Sequence, residues 1–210
     1  MIKIIIADDH PIVREGLKKI LDKYSDIVVA GEAASAEELL SELRKNDYDV
    51  ALLDITMPGR GGVEILGQLR VEKPDLRILV LSFHSEEHYA VRVLREGASG
   101  YLTKDKAPLE LVEAIRKVAA GGKYVSPSLA EKLAFDLQEG GEKSLHGNLS
   151  NREYQVMCLI ASGKTITEIA GELCLSVRTV STYRSRILEK MKMKNNAEIT
   201  HYAIKKGLVE

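Results

Sequence analysis

Lys3-Ile4-Ile5-Ile6-Ala7-Asp8-Asp9 and Val50-Ala51-Leu52-Leu53-Asp54 are short apolar runs that each end on carboxylates. Both are too short for buried helices and too continuously apolar for a half-exposed antiparallel strand, so they read as buried strands of a parallel sheet. A segment of helical periodicity follows each of them, and the same alternation recurs until there are five strand-helix pairs. Strands are expected over 3–7, 27–33, 50–53, 77–81 and 100–103, and helices over 11–24, 35–46, 62–72, 86–96 and 108–120. Pro11 and Pro108 suit first-turn positions, where a missing N–H costs nothing, and Ser35 suits an N-cap. Right-handed crossovers then restrict the first domain to an α/β doubly wound five-stranded parallel sheet.

Gly121-Gly122 stops the fifth helical segment. An amphipathic stretch, Ser126-Pro127 through Gln138, follows and is expected to be a tether helix. Glu139-Gly140-Gly141-Glu142-Lys143-Ser144-Leu145-His146-Gly147-Asn148 is polar and glycine-containing, and is expected to be a flexible linker. Beyond Ser150 the strand signal ends, and apolar spacing at three and four marks an all-α domain of four helices over 151–161, 165–173, 177–191 and 196–206. The expected partition is 1–122, a linker with tether helix over 123–147, and 148–210.

The 210 residues are 45% hydrophobic and 29% charged, with no Trp. That composition excludes a disordered chain, a collagen and a disulfide-stapled miniprotein. No stretch is apolar enough to span a bilayer, and the one leader-like run, Ile4-Ile5-Ile6-Ala7, breaks into Asp8-Asp9. A cytoplasmic protein without a membrane partner is expected. Cys158 and Cys174 lack metal or redox spacing and are expected as buried small hydrophobes. Net charge is −1, but residues 1–147 carry 20 Lys and Arg against 25 Asp and Glu, whereas residues 148–210 carry 10 against 6. Arg178, Arg184, Arg186, Lys190, Lys192 and Lys194 face a single acid, Glu189, which points to a polyanionic partner.

In the first domain Asp8 and Asp9 follow the first strand, Asp54 the third, Ser82 the fourth and Lys104 the fifth. Ligands of open parallel sheets bind outside the carboxyl ends of the strands where strand order reverses, which for a 2-1-3-4-5 order lies between the first and third. Three carboxylates crowded into a partly dry crevice need a cation, and an all-oxygen set favours Mg²⁺. The Thr56 backbone carbonyl is available as a further oxygen ligand. Such a site suits a phosphoryl group: Mg²⁺ and Lys104 neutralise its oxygens, the Ser82 hydroxyl donates to another, and a carboxylate attacks phosphorus. Asp54 is the expected nucleophile, because Asp8 and Asp9 are placed to hold the metal. One aspartate after a strand is ordinarily a turn former; polar residues at the ends of four strands together carry the reading.

Asp8-Asp9, Leu52-Leu53-Asp54-Ile55-Thr56-Met57-Pro58-Gly59, Leu81-Ser82 and Gly100-Tyr101-Leu102-Thr103-Lys104 make the whole first domain resemble the flavodoxin-like receiver domain of two-component response regulators. The resemblance implies phosphoryl transfer onto Asp54 from a sensor histidine kinase or a small acyl phosphate. It also implies a switch in which Ser82 moves toward the phosphoryl group and Tyr101 swings inward, altering the surface of the fourth helix, fifth strand and fifth helix. Composition alone makes Tyr101 a half-buried strand aromatic. The resemblance also directs attention to Thr56 and His84, expected to flank the path of an attacking water, and to Phe83, larger than the small residue the family commonly has there. A modulated, slowed self-dephosphorylation is expected, the alternative being that His84 is a surface loop residue with no role.

In the second domain Ile166, Ile169, Ala170 and Leu173 form one apolar stripe and Val177, Val180, Ile187 and Met191 another, joined by Leu173-Cys174-Leu175-Ser176. Ser176 can cap the second of these helices, whose other face presents Arg178, Ser181, Thr182 and Ser185. This is the layout of a helix-turn-helix, whose second helix reads the major groove of double-stranded DNA. Leu149-Ser150-Asn151-Arg152-Glu153, Ile166-Thr167-Glu168-Ile169-Ala170 and Leu175-Ser176-Val177-Arg178-Thr179-Val180-Ser181-Thr182-Tyr183 resemble the LuxR-type DNA-binding domain, and the whole chain is similar to NarL/FixJ-type transcriptional regulators. The resemblance implies that Ser181, Thr182 and Ser185 face bases, that Arg178, Tyr183, Arg186 and Lys190 hold the backbone, and that the helix over 196–206 joins a homodimer on promoter half-sites. RNA polymerase is a further candidate partner. Two rival readings remain at this point. A haloacid-dehalogenase-type phosphatase would need a second acid where Thr56 stands, and a phosphorelay adaptor would bind proteins alone.

Overall fold

The computed structural model describes residues 1–55, 57, 62–82, 86–127, 129–131 and 145–209. These fall into two compact units, Met1–Ala134 and Phe135–Glu210.

In the first unit β1 (Ile2–Ala7), β2 (Ile27–Ala33), β3 (Val50–Asp54), β4 (Arg77–Ser82) and β5 (Gly100–Thr103) form one parallel sheet in the order β2-β1-β3-β4-β5. The connecting helices are α1 (Pro11–Leu21), α2 (Ala36–Lys45), α3 (Gly62–Glu72), α4 (Glu86–Arg95) and α5 (Ala107–Ala119). Register places Ile4 beside Val50 and Ala7 beside Leu53, so β1 and β3 end side by side. Alternation sends Ile4, Ile6, Val50, Leu52, Leu79, Leu81 and Leu102 into one core with Leu17 and Leu21 of α1 and Leu111, Ile115 and Val118 of α5. Each fully buried Leu or Ile there contributes about 1.5–3 kcal/mol relative to exposure. Ile5, Ala51, Leu53, Ile78 and Val80 point the other way and are equally buried. Ser35 caps α2 by accepting from the Glu38 N–H, and Pro11 opens α1. α1 ends at Leu21 rather than residue 24, because Leu21 is its last buried side chain and residues 22–24 leave in an exposed turn.

The chain after α5, at the start of the segment expected as a linker with tether helix, folds back onto the sheet. Gly121, at φ +86°, turns the chain back, and Tyr124 bridges in parallel to Gly100 on the outer edge of β5. The Tyr101 N–H donates to the Tyr124 carbonyl, the Tyr124 N–H to the Ser99 carbonyl, and the Tyr124 hydroxyl to Glu110 Oε2 at 2.7 Å. Glycine is required at position 100, since a Cβ would come within 2.8 Å of the Tyr124 carbonyl oxygen. Of the tether helix expected over 126–138, Ser126 is described and its hydroxyl accepts from the Leu129 N–H; Pro127, Leu129, Ala130 and Glu131 are helical, and the rest lies outside the described residues, as does the linker over 139–144.

The described part of the second unit begins with a 3-10 turn, Leu145–Asn148, followed by α6 (Asn151–Ala161), α7 (Ile166–Glu172), α8 (Val177–Met191) and α9 (Asn196–Lys205). Residues 145–148 were expected as flexible linker. They are folded because His146 Nδ1 lies 2.8 Å from the Tyr202 hydroxyl and its ring packs against Tyr154. Ile169, Ala170, Val180, Ile187, Met191 and Ile199 fill the core. Two further expectations are corrected. Cys158 is half-buried and Cys174 exposed; Cys174 occupies the turn between α7 and α8 at φ +52°, which aims its side chain away from the core. Val177, first residue of α8, is 49% exposed rather than part of the buried stripe.

Candidate phosphoryl and nucleic-acid sites

Asp8, Asp54 and Ser82 are buried at the carboxyl ends of β1, β3 and β4, and Lys104 follows β5 with its side chain 4% exposed. The Lys104 N–H donates to the Ser82 carbonyl, which fixes the lysine beside the fourth strand. Its Nζ then stands 2.6 Å from Asp54 Oδ2 and 2.6 Å from Asp8 Oδ2. Asp9 lies at the rim, half-buried. Three carboxylates against one ammonium leave an excess of negative charge in a nearly dry pocket, which is the electrostatic condition for a divalent cation. Ligand atoms of Asp8, Asp9, His10 and Asp54 all fall within 4.8 Å of one another, so the donor set fits a hard cation held by oxygens. Thr56, the expected fourth oxygen donor, lies outside the described residues, as do Phe83 and His84.

His10 was missing from the expected site. Its backbone N–H donates to Asp8 Oδ1 at 2.8 Å, and its Nδ1 stands 3.2 Å from Asp8 Oδ1 and 3.1 Å from Asp9 Oδ1. The signal in the sequence was its place between the acid pair and Pro11, the first residue of α1. Tyr101 is wholly buried, not half-buried, because β5 is covered by α4, α5 and the Tyr124 stretch. Ser82 is wholly buried as well.

In the second unit both helices of the α7–α8 pair are capped by their own sequence. Thr165 and Glu168 form a reciprocal capping box on α7, and Ser176 accepts from the Thr179 N–H at the start of α8. The Leu175 N–H donates to the Ala170 carbonyl, which closes the turn between them. Arg178 and Arg186 are exposed on α8 and make no ion pair among the described residues. Ser181, Thr182 and Ser185 share the exposed face. The Thr182 hydroxyl donates to the Arg178 carbonyl and the Ser185 hydroxyl to the Ser181 carbonyl, leaving oxygen lone pairs outward as acceptors. Tyr183 is half-buried beside them.

Lys190, expected from the resemblance to hold the DNA backbone, is exposed on α8 and also makes an ion pair. Its Nζ lies 2.6 Å from Glu153 Oε2, and Glu153 is the carboxylate that closes the capping box of α6 with Ser150. Burial pushes the Glu153 carboxyl up, but the hydrogen bonds from Lys190 and Ser150 outweigh it and hold the group below the ordinary glutamate value. Lys190 therefore ties α8 to α6. Arg184 plays the same part toward α9, donating to Asn196 Oδ1 at 2.6 Å. Capping by Ser150 and Glu153 also shows how α6 starts with Asn151 at its first position.

Residues 4–116 match the response regulator receiver domain family, and residues 147–203 match the bacterial regulatory proteins of the luxR family. The response regulator UvrY of Escherichia coli K12 is 38% identical over 209 residues, covering 99% of this chain and 96% of that protein. The response regulator GacA of Pseudomonas aeruginosa is 37% identical over 211 residues, covering 100% and 99%. Among solved structures, RcsB of Salmonella enterica serovar Typhimurium, bound to promoter rprA with the phosphomimetic BeF3−, is 29% identical with a TM-score of 0.65, covering 96% of this chain and 97% of that one. The receiver-family match over residues 4–116 leaves the phosphatase without a place, and the luxR-family match over 147–203 does the same for the protein-only adaptor. The chain belongs to the two-component response regulators, and is a transcription regulator in which a receiver domain precedes a LuxR-type helix-turn-helix DNA-binding domain.

Proposed function

We propose that Asp54 is the phosphoryl acceptor and that its modification by a sensor histidine kinase controls promoter binding by α8. The observation that carries this is the Lys104 Nζ held 2.6 Å from Asp54 Oδ2 at the reversal point of the sheet, with both groups buried. One Asp54 oxygen attacks the phosphorus of a phosphohistidine. The O–P bond forms as the N–P bond breaks, and the imidazole nitrogen leaves with the electron pair and takes a proton from solvent. Lys104 then neutralises one phosphoryl oxygen, and the Ser82 hydroxyl donates to another. Asp8, Asp9, Asp54 and the Thr56 carbonyl would hold Mg²⁺, which supplies further charge neutralisation on the phosphoryl oxygens. His10 orients Asp8 and Asp9. Tyr101, buried in β5, belongs to the α4, β5 and α5 surface that phosphorylation alters.

Arg178 and Arg186 are the free cations on α8 and hold the DNA backbone. Ser181, Thr182 and Ser185 face bases, with Tyr183 at the edge of the groove. α9 supplies the contact between two copies on paired half-sites, as expected for a module too small to bind tightly alone. RcsB has been captured as dimers on DNA, which supports this reading. The protein acts in the cytoplasm, with RNA polymerase as the complex its DNA-bound form addresses. The test is transfer of labelled phosphoryl from a small acyl phosphate in the presence of Mg²⁺. A hydroxylamine-labile label that maps to Asp54 and disappears in Asp54→Asn is expected; label retained in that variant overturns the assignment.

A further inference from the structure

At the other end of the sheet from Asp54, four cations converge on one cleft. Arg70 lies near the end of α3, Arg77 begins β4, Arg95 ends α4 and Lys123 lies on the stretch that returns beside β5. β4 runs from Arg77 to Ser82, so this cleft is separated from the phosphoryl site by about 17 Å of strand. It encloses about 380 Å³, with Leu76 and Leu94 in its wall, a volume in the range of small-molecule sites.

Among the described residues no acid pairs with the arginines of this cleft. Elsewhere this unit pairs its cations closely: Arg14 with Glu32, Lys73 with Asp47 and Arg116 with Asp26. Among the described residues Arg70, Arg77 and Arg95 make no ion pair and no side-chain hydrogen bond, although Glu72, Asp75 and Glu96 stand in the adjoining stretches. Lys123 is fixed by donating to the Ala98 carbonyl at 2.6 Å. Burial, and then the charges of Arg77 and Arg70, hold its ammonium below the ordinary lysine value. Gly97, at φ +109°, leaves room for Arg70 to lie across it, since a Cβ there would come to 3.0 Å from Arg70 Cδ. Like charges drawn from four separate elements repel one another, and this unit carries a net negative charge overall. Arg70, Arg95 and Lys123 are exposed and Arg77 is half-buried, so the cluster presents a positive patch that attracts a multivalent anion.

We propose that this cleft binds a small molecule bearing a pyrophosphate group. Guanidinium forks match phosphoryl oxygens two at a time, and three arginines with a lysine balance the charge of two linked phosphates better than that of a single carboxylate. Leu76 and Leu94 offer an apolar wall for whatever the pyrophosphate is attached to.

Titration calorimetry of the full chain with inorganic pyrophosphate and, in a second arm, with a nucleoside diphosphate tests this in metal-free buffer of low ionic strength. One saturable site per chain is expected, weakened at least tenfold in Arg70→Gln/Arg95→Gln and unchanged in Arg178→Gln/Arg186→Gln. Both substituted pairs are exposed, and a thermal melt checks that the fold is kept. Tighter binding of the nucleoside diphosphate assigns the apolar wall to the nucleoside, and equal binding assigns the site to the pyrophosphate group alone; either supports the proposal. No saturable binding, binding insensitive to Arg70→Gln/Arg95→Gln, or binding lost in Arg178→Gln/Arg186→Gln overturns it. None of these readouts depends on phosphorylation of Asp54.

Discussion

Lys104→Met is the substitution that most directly probes the receiver nest. The ammonium it removes lies 2.6 Å from Asp54 Oδ2 and 2.6 Å from Asp8 Oδ2, with side chains 4%, 0% and 2% exposed. Methionine fills nearly the same volume, so packing is preserved and the loss is electrostatic. Breaking a buried pair from one side strands the partner charge and costs about 3–5 kcal/mol. Here two carboxylates lose their counter-charge, which places the expected loss at the upper part of that range. Urea unfolding at neutral pH in metal-free buffer, following the receiver transition alone, measures it. The double variant Lys104→Met/Asp54→Asn removes one stranded charge and is expected to recover at least about 1 kcal/mol, the scale of coupling between contacting groups. A loss below about 1 kcal/mol in Lys104→Met, the worth of a solvent-exposed pair, with no recovery in the double variant, would refute the buried nest.

Other outcomes follow from the same contacts. Glu153 is held below its ordinary value, so its contribution is complete above about pH 4.5 and is lost as pH falls through the lower folded value; Glu153→Gln should cost about 1–2 kcal/mol at neutral pH and remove that acid-side loss in pH-dependent melts. Arg178→Ala and Arg186→Ala should each lower the salt dependence of DNA binding by about one unit of slope. Lys190→Met should leave that slope unchanged while lowering the stability of the second unit, measured by binding at several salt concentrations beside a thermal melt. Gly100→Ala forces Tyr124 off the edge of β5 and should cost about 1–3 kcal/mol, read as earlier receiver unfolding in urea.

The strands were legible because each is a short apolar run closed by a polar residue, and the helices because Ser35, Thr165, Ser176 and Pro11 mark their starts locally. Asp8, Asp9, Asp54, Ser82 and Lys104 were legible for the same reason: parallel topology carries strand ends to one edge without any knowledge of side-chain packing. What pattern could not supply was pairing across elements. Lys190 looks like one more cation on a basic helix, and only the tertiary structure brings it to Glu153. Tyr124 is one aromatic after two glycines, with nothing local to announce that it covers β5. Arg70, Arg77, Arg95 and Lys123 are scattered over four elements, and their convergence exists only in the folded sheet. Cys174 misled because apolar periodicity takes no account of a left-handed turn residue.

In the function proposed above, the acid nest of the receiver governs how α8 meets DNA. The most direct measurement is the affinity of the full chain for a promoter fragment selected by the protein itself, at fixed salt, before and after treatment with an acyl phosphate and Mg²⁺. The expected result is a rise of at least tenfold in the wild-type protein and no change in Asp54→Asn. An unchanged affinity in fully phosphorylated wild-type protein, or an equal rise in Asp54→Asn, would contradict it.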